Sequence, residues 1–460
     1  MEEMKHNSIV YKKKLVLFAL FLNVLIMVMN TSMFNIAVPV ITEDFQINTA
    51  AASWIVTSYS VFFAIGVVIY GRLGTNAAIP FLLTIGLLLL GAGSILGVFA
   101  ETYPLLILAR VIQAAGTSSV SALGMQMITR YFPVEEKAKA MSIYASASTL
   151  GFGLGPLVGG LLTEYLGWSF LFMVSVLGAL MIPVYRKNVP FEVPGGSLFD
   201  IPGFLLLSTS AVSALLFVST GSLFFLAGAV AFVLFLIHIN RVKEPFIAPA
   251  LLKQPIYVLS LAIGFAVFFI HFAILFITPL LLADVYSLNT AAIGWIIFPG
   301  AAGSAVLMIL IGRMAEKTGI LFIIGGGTVC VTAASILYAG FGGHEPWLMG
   351  LFFLVSSLGF SCITMGVPNY LSGKLAPAEF SSGFGLLQLT QFIGGAFGVA
   401  VSGKLLSWDR LAGSPLFFVW QGEGAAYSNS YAFLIGIAIL SVVCFCFFYK
   451  QAGRFRSETF

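Results

Sequence analysis

The chain has 460 residues, 59% apolar and only 9% charged, with 44 phenylalanines and a formal net charge of +4. So few charges cannot cover a water-facing surface, which excludes an ordinary soluble domain and requires most of the chain to face lipid. The small positive balance says nothing about nucleic acid, because in a membrane chain the placement of charge matters more than its sum.

Apolar stretches long enough to cross about 30 Å of hydrocarbon recur from end to end. Fourteen are expected, near 15–37, 50–70, 78–99, 104–125, 140–162, 168–184, 199–219, 221–239, 256–282, 289–311, 320–340, 346–371, 383–403 and 430–449. The run from Leu15 is too long for a signal-peptide core and is followed by further spans, so it reads as a first transmembrane helix. Only Thr220-Gly221-Ser222 separates the seventh and eighth spans; twelve spans with a re-entrant pair is the alternative. Cys330, Cys362, Cys444 and Cys446 lie in apolar runs without metal-ligand spacing and read as small buried or lipid-facing residues.

Orientation follows from the Lys/Arg bias. With Lys5, Lys12, Lys13 and Lys14 inside, the inner side also receives Arg72, Arg130, Arg186, Arg241, Lys243, Arg313, Lys317, Lys374 and Lys450. Lys404 and Arg410 fall outside, both in the loop before the last span. Both termini are therefore expected in the cytoplasm. A repeat points the same way. Trp54 precedes Gly71-Arg72 by the interval at which Trp295 precedes Gly312-Arg313, marking two similar six-helix bundles with two spans inserted between them. The expected divisions are a cytoplasmic N-terminus (1–14), an N-terminal bundle (15–187), the inserted pair with its flanking loops (188–255), a C-terminal bundle (256–449) and a cytoplasmic C-terminus (450–460).

Arg110 lies inside the fourth apolar run. A guanidinium within a span costs at least roughly 2.5–3.5 kcal/mol on insertion scales and normally faces protein or a wet cavity. Its five donors could engage backbone carbonyls and the neighbouring Gln113, or orient a substrate carbonyl. Glycines 151, 153, 155, 159 and 160 strip side chains from a helix, allowing close approach of another, and Pro156 permits a bend there. A hinge at Gly151, Gly155, Pro156 and Gly159 and plain small-residue packing both fit this pattern. Polar residues on apolar spans are candidates to line a cavity: Asn30, Thr31, Asn35, Gln126, Ser146, Ser148, Asn369, Gln388 and Gln391, with Phe152 and Phe269 as an apolar wall. Arg72, Arg313 and Glu316 could form gate ion pairs, or serve only as topology charges.

Several of these stretches resemble the major facilitator superfamily, in its fourteen-helix drug:proton antiporter branch. Gly71-Arg72-Leu73-Gly74-Thr75 is similar to the family's loop motif after helix 2, and Gly312-Arg313-Met314-Ala315-Glu316-Lys317-Thr318-Gly319 to its second-half copy. Arg110-Val111-Ile112-Gln113-Ala114-Ala115-Gly116 resembles the helix-4 motif, and Gly151 through Gly160 the antiporter motif of helix 5. Asp200-Ile201-Pro202-Gly203 resembles the start of helix 7, and His238 through Ile247 the loop after helix 8 in Gram-positive tetracycline-efflux proteins. The resemblance implies an all-α major facilitator fold and proton-coupled export of amphipathic drugs, tetracyclines among the candidates, by alternating access. It also implies a bacterial plasma membrane.

The chain departs from that pattern at informative places. Thr75 stands where the loop motif usually carries aspartate, and Pro80 and Phe81 where it carries basic residues. Thr31, Phe152 and Gly395 stand where tetracycline-efflux proteins carry intramembrane glutamates. Of the remaining groups, His271 lies mid-span and can titrate in the working range, while Asp200 and Asp284 sit at span ends. These three are the candidates for proton coupling; for His271, a neutral ring bonded to a neighbouring helix is the alternative. No cofactor, metal or nucleic acid is expected, and no catalytic constellation or phosphate loop is present. The expected partners are an amphipathic small molecule, protons and the bilayer, with the chain acting as a monomer. A facilitator or importer of a neutral metabolite, uncoupled from protons, is the alternative function.

Overall fold

The computed structural model describes residues 12–191, 200–242, 249–375, 380–408 and 424–457. Lys5, Lys243 to Ile247 and Arg410 therefore lie outside the described residues, as do the side chains of Arg313 and Glu316. Among the described residues the regular structure is helical: α1 Lys13–Asp44, α2 Thr49–Asn76, α3 Ile79–Val98, α4 Tyr103–Tyr131, α5 Val134–Leu166, α6 Phe170–Ala179, α7 Ile182–Asn188 and α8 Ile201–Thr220. They continue with α9 Ala227–Ile239, α10 Pro249–Leu252, α11 Pro255–Asp284, α12 Thr290–Thr318, α13 Ile320–Phe341, α14 Leu348–Ser372, α15 Phe380–Leu406 and α16 Ala425–Ser457. A helix satisfies every backbone group within its own segment, the condition for crossing hydrocarbon.

Sequence punctuation explains the boundaries. Proline, whose missing N–H costs nothing in the first helical turn, opens α3, α4, α7, α8 and α11. Asn48 caps α2 by accepting from Ala51 N, and Asp200 caps α8 by accepting from Gly203 N. Gly221 and Gly319, at φ of +70° and +86°, take the left-handed turns that end α8 and α12.

Counting α6 and α7 together as one, thirteen of the described helical spans are long and apolar enough to cross a membrane. Two expected spans differ in detail. The span at 168–184 is broken near Leu180 into α6 and α7. The span at 221–239 begins as a 3-10 turn, Leu223–Leu226, before the 13-residue α9.

The helices pack twice in one pattern. In the first half α1 lies on α5, α2 on α4, α3 on α4 and α3 on α6; in the second α11 lies on α15, α12 on α14, α13 on α14 and α13 on α16. Two six-span bundles are thus built alike, as the Trp/Gly-Arg repeat suggests. The halves meet reciprocally, α2 against α15 and α5 against α12, with α1 touching α11 between them. The inserted α8 rests on α15 and α2, and α9 packs chiefly on α8. Asp200 Oδ1 meets His238 Nε2 at 2.6 Å, clasping this hairpin at the end of the bundle that bears both termini.

The glycine-rich run of α5 divides between two faces. A Cβ on Gly151 would lie 2.8 Å from Val28 Cβ, one on Gly159 2.6 Å from the Met33 carbonyl, and one on Gly155 would strike Ser32. All three face α1 within one half. Gly160 instead abuts Gly294 of α12, and the Pro156 carbonyl lies 2.6 Å from where a Gly294 Cβ would stand. The seam between the halves therefore runs through Pro156, Gly160 and Gly294, while Gly151, Gly155 and Gly159 hold α5 to α1. A Gly160→Leu variant should reach the membrane yet lose transport, because the wedge falls between halves. Gly155→Leu should instead lower the melting temperature of the purified protein. A melting scan beside a transport assay checks both.

Candidate functional site

Arg110 is fully buried inside the first half. Its Nε donates to the Ile55 carbonyl at 3.1 Å, and Nη1 to Asn30 Oδ1 at 2.5 Å and Gln113 Oε1 at 3.0 Å. Gln113 passes the network to Ser94 at 2.9 Å, and Asn30 to Ser175 at 2.5 Å. The guanidinium lies between the rings of Phe34 and Tyr59, 3.9 and 4.2 Å from their centroids, where cation–π attraction offsets part of its desolvation. No carboxylate pairs with it among the described residues. Five helices are tied to one charge in this way, through polar atoms or rings: α1, α2, α3, α4 and α6.

The other amide candidates are also largely committed. Gln126 donates from α4 to the Gly71 carbonyl of α2 at 2.6 Å. Asn35 donates to the Thr31 carbonyl at 3.0 Å, and Thr31 to the Met27 carbonyl at 3.2 Å, both within α1. Ser146 and Ser148 bond back to Ser142 and Tyr144 of α5, and Asn369 is exposed. Gln391 is buried beside Gly264 of α11, with Nε2 free of hydrogen bonds, and Gln388 is half-buried.

Aromatic rings join the halves. Phe63 of α2 meets Phe392 of α15 at 4.6 Å, and Phe152 of α5 meets Phe360 of α14 at 5.4 Å. Phe268 of α11 touches Phe360 at 4.7 Å and Phe392 at 5.6 Å, with Phe272 stacked on it at 5.8 Å. His271 stacks on Phe360 at 4.2 Å, and its Nδ1 lies 3.0 Å from Ser356 Oγ. Phe269, by contrast, sits among Phe265 and Phe433 within the second half. Of the wall residues named from sequence, Phe152 reaches this cluster and Phe269 does not. Phe63, Phe268, Phe272, Phe360 and Phe392 went unnamed; the i, i+4 pair Phe268/Phe272 was a usable signal, but nothing local says which face of a wholly apolar helix meets the other half.

At the end opposite the termini the halves are sealed by polar contacts. Glu164 of α5 accepts from the Thr290 N–H at 3.1 Å and its hydroxyl at 2.9 Å, capping α12. Thr49 donates to the Gly403 carbonyl at 3.3 Å and Thr57 to that of Ala396 at 3.4 Å, joining α2 to α15. At this end, too, Asp284 is exposed and accepts from the Tyr427 hydroxyl. Arg72 lies at the termini end, where its carbonyl accepts from Thr75 at 2.6 Å.

Two repeated helical bundles meeting across a packed cluster of aromatic rings, with a buried cation holding one of them together, define a polytopic carrier of small molecules. The Major Facilitator Superfamily model matches residues 20–399, and the chain belongs to that family; it is a multi-pass membrane transport protein and not an enzyme. It is 24% identical over 451 residues to the riboflavin transporter RibZ of Clostridioides difficile, covering 96% of this chain and 99% of that one. It is 26% identical over 419 residues to the drug efflux pump JefA of Mycobacterium tuberculosis, covering 86% and 81%. It is 23% identical over 442 residues to the lincomycin resistance protein LmrB of Listeria monocytogenes, covering 90% and 92%. Among solved structures, the peptide transporter POT in complex with alafosfalin superposes with a TM-score of 0.71 at 17% identity, covering 99% of this chain and 98% of that one. A bacterial homolog of the human lysosomal transporter Spinster, inward-facing and occupied, gives 0.66 at 17% identity, covering 96% and 97%. At such identity these structures show the fold alone.

Arg110→Lys keeps the charge but loses the fork that reaches Asn30, Gln113 and Ile55 together. Transport by the lysine variant should fall at least tenfold, measured per molecule of protein in the membrane.

Proposed function

We propose that the chain is a secondary active exporter of amphipathic small molecules, drugs among them, working by proton-coupled antiport. The observation that carries this reading is the cluster of rings, Phe63, Phe152, Phe268, Phe360 and Phe392, packed where the halves meet. Such a wall favours planar apolar bodies through stacking and area burial. The resemblance to the fourteen-helix antiporter branch and the similarity to an efflux pump and a lincomycin resistance protein favour export. With both termini cytoplasmic in a bacterial plasma membrane, the end sealed by polar contacts is the outer one, and cargo would reach the ring cluster from inside. Release outward then requires the Glu164–Thr290 and Thr49–Gly403 contacts to part while the termini end closes.

Coupling falls to His271 in this reading. No aspartate or glutamate lies in the middle of any span, whereas His271 borders the ring cluster on the face of Phe360, where a protonated ring gains cation–π attraction. Asp284 and Asp200, at opposite ends of the bundle, are the alternatives. His271→Gln should abolish export driven by an imposed pH gradient, whereas Asp284→Asn and Asp200→Asn should retain it.

A second reading, carriage of a neutral metabolite without proton coupling, is favoured by the absence of mid-span carboxylates and by the riboflavin transporter matched over 99% of its length. Inside-out vesicles separate the two. Accumulation of an amphipathic dye, tetracycline or lincomycin that collapses with the pH gradient supports antiport. Gradient-independent equilibration of riboflavin, with none of the drugs moved, would replace it.

A further inference from the structure

The ring cluster gives the apolar part of a cargo its surface; the donors beside it indicate a head group. Arg110 uses Nε and Nη1, but Nη2 is buried and has no hydrogen-bond partner among the described residues. The hydroxyl of Tyr59, whose ring covers the same guanidinium, is likewise buried, with no polar groups among the described residues but the Thr31 and Thr117 hydroxyls beside it. Those two hydroxyls donate to their own helix carbonyls, Met27 and Gln113. The oxygens around Arg110, from Asn30, Gln113 and the Ile55 carbonyl, are neutral, so the positive charge is solvated by dipoles and lacks a counter-ion. A buried ion left in that condition is costly, and unused donors on a guanidinium and a phenol call for a group made of acceptors.

A run of rings connects this spot to the cluster. Tyr59 stacks on Phe63 at 6.0 Å, and Phe63 meets Phe392 of the other half at 4.6 Å.

We propose that Arg110 Nη2 and the Tyr59 hydroxyl form the receptor for an anionic head group, a carboxylate above all, on the transported molecule. The cargo is then an anionic amphiphile whose planar body lies against Phe63 and Phe392, and its charge completes the ion pair that the protein leaves open. This deepens the reading of the chain as a carrier of amphiphiles and rests on it for the identity of the ligand.

The test uses the purified full-length protein in nanodiscs and a matched pair of probes, a planar fluorophore bearing one carboxylate and its methyl ester. The acid should bind at least tenfold more tightly than the ester. Arg110→Gln should bring the ratio of their affinities to near one, and Tyr59→Phe should reduce it severalfold; the second variant keeps the ring over the guanidinium and covers the case in which the first does not fold. Equal binding of acid and ester by the unaltered protein overturns the proposal, as does an acid preference that survives both substitutions. A free inorganic anion offers the same acceptors. Sulfate binding as tightly as the acid, with nothing gained from the planar body, overturns the assignment to the transported molecule. Because binding is read without a gradient, its failure leaves export and coupling standing, and failure of export in vesicles leaves the binding result standing.

Discussion

The first half of this protein depends on one buried charge. A guanidinium taken out of water must be re-solvated by the protein or it does not remain there, and every polar group spent on Arg110 comes from a different place in the bundle. Asn30 and Phe34 come from α1, Ile55 and Tyr59 from α2, Gln113 from α4, with Ser94 of α3 and Ser175 of α6 one bond further out. The same charge that makes the span expensive therefore fixes the mutual register of the helices around it. Without comparable apolar driving force between helices in lipid, such polar ties and close small-residue contacts decide how spans associate.

The second constraint is symmetry. Each half sets its second helix on the fifth helix of the other, α2 on α15 and α12 on α5, so any rotation that loosens one end of both seams tightens the other. Small residues serve the seams where they are tightest, as at Gly160 against Gly294 and Gly403 against Ser53. Among the described residues, polar contacts between the halves at the end opposite the termini are few, and hydrogen bonds to neutral groups are worth about 1 kcal/mol each. A seal of that size can be opened by modest differential binding of ligand or proton to the two states. The α8–α9 hairpin lies outside this symmetry, resting on the α2–α15 seam and clasped by Asp200 and His238.

Much of the fold was legible because hydropathy, charge placement and the Trp/Gly-Arg repeat are local or additive signals. The site was less so. Gln113 announces itself as a partner of Arg110 by lying three residues along the same helix, but Asn30, Ser94 and Ser175 reach the network only through tertiary packing. Asn30 and Gln126 were read as cavity candidates and Gln113 as a neighbour of Arg110, yet all three bridge helices; an amide looks the same in sequence whether it serves cargo or backbone. The glycine run of α5 was read as one face, although its members fall on two, because the spacing of 151, 155 and 159 and the position of 160 differ in helical phase. His238 was passed over since it sits in a span end, where only the fold brings it to Asp200. Glu164 caps a helix of the other half, a role that nothing local to its own span announces.

Reciprocal movement of the two halves is the central claim, and distance measurement by double electron–electron resonance tests it most directly. One spin-label pair at Glu43 and Glu345 reports the end opposite the termini, and another at Arg130 and Lys317 reports the termini end; all four side chains are exposed. On adding a transported amphiphile or changing pH, the first distance should lengthen as the second shortens. Distances that change together, or that ignore both ligand and pH, would contradict the account.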